Sequence, residues 1–85
     1  MSNHIIYGIH VTDRMRDAGG VQNLLSEYGC YIKTRIGLHD VNEKYCSPHG
    51  VILLEMFGDP AICMELKRKL EAIGGVDVKE MVFTH

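Results

Sequence analysis

An α+β fold with element order β-α-β-β-α-β is what the sequence predicts, and three observations carry it. Strict apolar alternation opens the chain, two stretches carry apolar residues at helical spacing, and each of those stretches ends at glycine. The 85 residues are enough for one domain, 1–85, with a small core. A hydrophobic fraction of 46% against 24% charged residues excludes a disordered or repetitive chain.

Residues 4–12 read HIIYGIHVT, with Ile5, Tyr7, Ile9 and Val11 on one face and Ile6, Gly8 and His10 on the other. A period of two predicts a strand. Thr12 and Asp13 can cap a helix whose buried stripe is Ala18, Val21, Leu25 and Tyr28, closed by Gly29. Gly19-Gly20 costs about 1 kcal/mol per glycine in a helix interior, which places the pair in the first turn.

Residues 31–38 predict a second strand, with Ile32, Ile36 and Leu38 inward and Tyr31, Lys33 and Arg35 outward. A polar loop is expected from His39 to His49. GVILLEMFG then forms a third strand, apolar enough on both faces to lie inside a sheet. Asp59 as N-cap and Pro60 at the first helical position start a second helix, with Ile62, Leu66, Leu70 and Ile73 as its stripe. Gly74-Gly75 ends it, and VDVKEMVF is the last strand.

Right-handed crossovers interleave the two βαβ halves into an antiparallel sheet of order 4-1-3-2, with both helices on one face. This is the ferredoxin-like sandwich. The helix residues Val21, Leu25, Ile62, Leu66 and Leu70 are expected to pack on Ile5, Ile9, Ile32, Ile36, Ile52 and Leu54.

That topology gathers polar residues at one end of the sheet. His10, Asp13, Arg14, Gly19 and Gly20 form the candidate ligand-binding set there, the glycines through backbone N–H groups at a helix start. His39, Cys46 and His49 form the candidate metal set, with Cys46 and His49 at Cys-x-x-His spacing. Thiolate and imidazole are ligands that late transition metals favour. The same residues also suit an ordinary polar hairpin loop. Cys30 and Cys63 read as small core residues, and His4 carries no signal of its own.

The open sheet face is expected to hold Ile6, Tyr31, Val51, Leu53 and Phe57, with Glu55 paired to Lys33 or Arg35. Contiguous apolar surface of that kind marks an interface. The expectation is a homo-dimer or tetramer built on this face.

Several function classes find no support. Net charge is −2, so no basic footprint for nucleic acid exists. No apolar run approaches membrane-spanning length, and the N-terminus lacks the features of a signal peptide, so a cytoplasmic chain is expected. No nucleophile–base pairing and no phosphate-binding motif can be assigned. The chain is therefore expected not to be an enzyme.

The segments VTDR (11–14), LSEYGCYI (25–32), RIG (35–37) and LEAIGGVDVK (70–79) resemble the small ACT-like proteins regarded as regulators of the iron-only hydrogenase system. The resemblance covers nearly the whole chain. It implies a ferredoxin-like fold, homo-oligomers and a regulatory, non-catalytic role. ACT regulatory domains are similar at Asp13-Arg14 and at Leu25 to Ile32, although Met15-Arg16 stands where they have Pro-Gly. The C-terminal domain of nickel-responsive repressors is similar at His39 and Cys46, but Gly37 stands where its first histidine would be. The residues themselves leave two ligand expectations: an unidentified small molecule at the His10, Asp13, Arg14, Gly19 and Gly20 set, or a transition metal at His39, Cys46 and His49.

Overall fold

The computed structural model describes the backbone of residues 3–11, 18–41 and 46–84, and the side chains of 3–11, 19–37 and 50–84. Four strands run β1 (Asn3–Val11), β2 (Ile32–Val41), β3 (Cys46–Met56) and β4 (Val76–Thr84). Helix α1 (Ala18–Glu27) follows β1, and α2 (Pro60–Glu71) follows β3. The sheet order is β2-β3-β1-β4, with every neighbouring pair antiparallel. This is the ferredoxin-like βαββαβ topology that the sequence predicts.

The alternation in β1 does what its period requires. Ile5, Tyr7, Ile9 and Val11 are all buried, and Ile9 has no exposed surface. They form one cluster with Leu54, Met56 and Val78 from the sheet, Val21 and Leu25 from α1, and Cys63, Leu66 and Leu70 from α2. Both helices thus cover the same face. Full burial of a Leu or Ile side chain stabilises by about 1.5–3 kcal/mol, so this cluster is the main favourable term in a chain this short.

Helix α2 starts as expected. The Asp59 carboxylate accepts a 2.9 Å hydrogen bond from the Ala61 N–H, and Pro60 takes the first helical position. Its stripe is Cys63, Leu66 and Leu70, with Ile62 and Ile73 half-buried beside it. Gly75 then adopts φ +86°, a conformation that favours glycine, and turns the chain into β4. Lys67 reaches across to Glu80 at 3.1 Å and ties α2 to that strand.

Gly19 and Gly20 lie in the first turn of α1, as the sequence predicts. The exit from α1 differs. Gly29 does not take a left-handed conformation, and the chain leaves through a 3-10 turn, Gly29–Tyr31. The amide of Tyr31 donates to the Tyr28 carbonyl at 2.9 Å and closes that turn, which needs no positive φ. Cys30, expected in the core, is consequently exposed on the turn, whereas Cys63 is buried.

Strand β2 departs from its expected facing for one reason. Ile32 lies opposite Met56, yet Thr34 lies opposite Glu55, so two residues of β2 advance against one of β3. Lys33 is the extra residue of this β-bulge. One extra residue reverses the parity of everything after it. Arg35 therefore sits opposite Leu54 on the helix side and donates to the Gln22 side chain of α1. Ile36 sits opposite Leu53 on the open face, 49% exposed, instead of in the core. Tyr31, expected on the open face, packs half-buried against the core cluster.

The expected His39–His49 loop is largely a hairpin. Strand β2 continues to Val41, and β3 begins at Cys46, directly opposite it.

Candidate functional site

Antiparallel pairing places the ends of β1 and β2 beside the starts of β3 and β4. Val11 lies opposite both Gly50 and Val76, and His39 also lies opposite Gly50. His10 is exposed on the open face, between Val51 and Asp77 in register. Gly19 is exposed and Gly20 half-buried in the first turn of α1. Asp13 and Arg14 lie outside the described residues.

The metal set falls within one hairpin. From His39 opposite Gly50 to Val41 opposite Cys46, the chain takes two steps along β2 and four along β3. Two steps of strand span about 7 Å, so the His39 and Cys46 backbones lie close along the hairpin. The side chains of His39, Cys46 and His49 lie outside the described residues. Among the described residues, no group of three or more His, Cys, Asp or Glu side chains is placed to hold a metal.

At the other end of the sheet stands a polar cluster that sequence reasoning missed. Glu55 is the one charge inside the apolar run of β3. Its Oε1 accepts a 2.7 Å hydrogen bond from the Thr34 hydroxyl, and its Oε2 lies 2.7 Å from His4 Nε2. The bulge moves Arg35 to the opposite face, whereas the charge of Lys33 does act on Glu55, behind these two hydrogen bonds. The Thr34 hydrogen bond, and after it the one from His4, hold the Glu55 carboxyl below its usual range. The His4 ring also meets the Phe83 ring at a tilted 57°, with centroids 6.3 Å apart. A lone acid in an apolar strand is a visible signal in the sequence; its partners needed the register.

Around this cluster the open face is apolar. Ile36, Met81 and Phe83 are each about half exposed, and Ile6 and Leu53 are half-buried between them. Phe57, just past β3, is 65% exposed.

Two buried groups, Tyr7 and Cys63, are held in their neutral forms. Burial, with Cys63 and Glu80 nearby, pushes the Tyr7 phenol up to about 12. Burial also raises the Cys63 thiol, which therefore stays protonated at neutral pH and is a poor nucleophile. Among the described residues no helix is long and apolar enough to cross a membrane.

The class defined by this geometry is a ferredoxin-like α+β sandwich whose two described helices cover the same sheet face. Among solved structures, the chain is similar to the uncharacterized protein TM1266 from Thermotoga maritima. The two share 28% identity at a TM-score of 0.80, over 98% of this chain and 100% of that one. A formyltetrahydrofolate deformylase from Pseudomonas putida is similar at 19% identity and a TM-score of 0.52. That match takes in 99% of this chain and 30% of the deformylase, a likeness of fold. No protein-family profile and no curated protein matches the chain.

Proposed function

We propose that this chain is a non-catalytic regulatory module that senses a small ligand and works as a homo-oligomer, a dimer or tetramer, through its open sheet face. The observation that carries the reading is the exposed band of Ile36, Met81 and Phe83 flanking Ile6 and Leu53 on the face opposite the helices. Exposed patches of contiguous apolar residues mark interfaces, and a two-fold axis lets one such patch meet its own copy. The resemblance of segments 11–14, 25–32, 35–37 and 70–79 to regulators of the iron-only hydrogenase system supports the regulatory role. The ligand would bind near His10 and the first turn of α1, with Asp13 and Arg14 contributing from the intervening segment.

Leu53→Glu tests the assembly. It places a charge in the middle of the face and, if unpaired there, costs several kcal/mol of association. Sedimentation should show an oligomeric wild type and a folded, monomeric variant. A monomeric wild type overturns the reading, and an unchanged oligomer for Leu53→Glu overturns the placement of the interface.

A second reading, transition-metal binding, is favoured by the hairpin register that brings His39, Cys46 and His49 within one β-turnaround. It requires a cysteine thiolate and neutral imidazoles, so affinity would fall in acid.

A further inference from the structure

We propose that the outer edge of β4, over residues 80–84, pairs antiparallel with the same edge of a second copy of this chain, about a two-fold axis at Val82. This contact is separate from the open sheet face and does not need that face to be covered.

The sheet has two edges, and they are built differently. The β2 edge carries the Lys33 bulge and Arg35, and bulges and charges are the devices that keep an edge strand from pairing further. At the other edge, β4 pairs with β1 residue for residue, from Asn3 opposite Thr84 to Val11 opposite Val76. Its first half is guarded by the exposed charges of Asp77, Lys79 and Glu80. Residues 81–83 carry no charge, and Met81, Val82 and Phe83 are 52%, 48% and 50% exposed. They also lie on both faces. Met81 is the register partner of Ile6 on the open face, and Val82 that of Ile5 on the helix side. Helix α2 is tied to β4 at Glu80, and Val82, two residues on, is left half exposed. A partner covering one face would bury only one side of this strand. A strand added at the edge reaches both sides and takes up the outward backbone N–H and C=O groups.

The order of residues along the edge selects its own copy as that strand. Two copies of one edge strand pair antiparallel about an axis normal to the sheet. The residue on the axis then faces itself, and opposed side chains share a face. An axis at Lys79 sets lysine against lysine, and one at Glu80 sets glutamate against glutamate. An axis at Met81 sets Val82 against the partner's Glu80. An axis at Val78 joins Asp77 to the partner's Lys79 but leaves residues 81–83 beyond the paired strands. With the axis at Val82, valine meets valine on the helix side, and Met81 meets the partner's Phe83 twice on the open side. Glu80 then faces the hydroxyl of the partner's Thr84. Apolar groups meet on both faces, and no like charges do.

Five paired residues make a small contact, weak when the chain is dilute. A Leu53→Glu chain can therefore sediment as a monomer and still pair at this edge when concentrated.

The experiment is oxidation in a glutathione redox buffer of the full, concentrated chain carrying Val82→Cys, with the exposed Cys30 replaced by serine. The chain with Cys30→Ser alone sets the background. Opposed residues in an antiparallel pair hold their Cβ atoms about 4.5–5.5 Å apart, a small shift from disulfide geometry. Val82→Cys should form a disulfide-linked dimer at least about tenfold faster than Glu80→Cys or Met81→Cys, whose own copies lie about 7 Å or more farther along the strand. Adding Leu53→Glu to Val82→Cys should leave the disulfide in place. Equal rates at the three positions, or fastest closure at Glu80→Cys, overturn the pairing at Val82. No disulfide above background leaves this edge to a different strand and overturns the proposal, while an oligomeric wild type in sedimentation keeps the open-face reading standing. A Val82→Cys disulfide in a chain that sediments as a monomer overturns the open-face reading alone. Loss of the disulfide on adding Leu53→Glu overturns the separateness of the two contacts.

Discussion

The ring of Tyr31 closes over Gly58: a Cβ on Gly58 would stand 3.2 Å from Tyr31 Cδ1, and the glycine holds φ +95°. Next to it, the Phe57 amide donates to the Tyr31 carbonyl at 2.7 Å. The start of β2 and the exit of β3 are therefore clamped together at one point. Both the contact and the φ make a side chain there costly.

Gly58→Ala should consequently lower stability by about 1–2 kcal/mol from backbone strain alone, with a further loss as the Tyr31 ring shifts. Gly8→Ala is the contrasting case. Its Cβ would sit 3.7 Å from Leu53 Cδ2, an ordinary contact on the open face. Urea denaturation should show a clear drop in midpoint for the first variant and little change for the second. Equal effects would contradict the clamp.

Asp59→Ala removes the side-chain acceptor for the Ala61 amide at the start of α2. The expected loss is about 1 kcal/mol. In a domain of this size that lowers Tm by about 4–8 °C. Asp59→Asn, which keeps an acceptor oxygen, should recover most of it by calorimetry.

Raising the pH should unfold the protein through Tyr7 and Cys63. Tyr7 has its ordinary phenol range near 10.0 when unfolded and is pushed up to about 12 when folded. A raised folded value stabilises the fold in full below the unfolded one, and this contribution is lost as pH rises from about 10 toward 12. The raised Cys63 thiol acts in the same direction, beginning lower, near its ordinary 9.0. Urea midpoints measured from about pH 8 to 11 should fall with rising pH, and Tyr7→Phe should flatten the upper part of that fall. An unchanged slope in Tyr7→Phe would contradict the assignment.

Zinc or nickel titration by calorimetry separates the two readings of the His39–His49 segment. Binding by the wild type that is lost in Cys46→Ser, and weakened as pH falls, assigns the metal to this hairpin. Equal heats for both proteins, or none for either, leave the small-ligand module alone.

The residues themselves determined much of this architecture. The alternation of Ile5, Tyr7, Ile9 and Val11, the Asp59-Pro60 start of α2 and the Gly74-Gly75 exit are short-range signals. Each follows from the periodicity of a single element or from the backbone groups at its end. The chirality of crossovers then leaves little freedom in strand order. What only the tertiary structure decided is which way β2 faces and what Glu55 touches. Nothing local to Lys33 marks it as a bulge; the extra residue exists only relative to the strand beside it. Once β3 sets that register, Ile36 turns to the open face, Arg35 turns to α1, and Thr34 meets Glu55 with His4 arriving from the other side. Side-chain facing along a strand repeats every two residues, so a single unpaired residue reverses it from that point on.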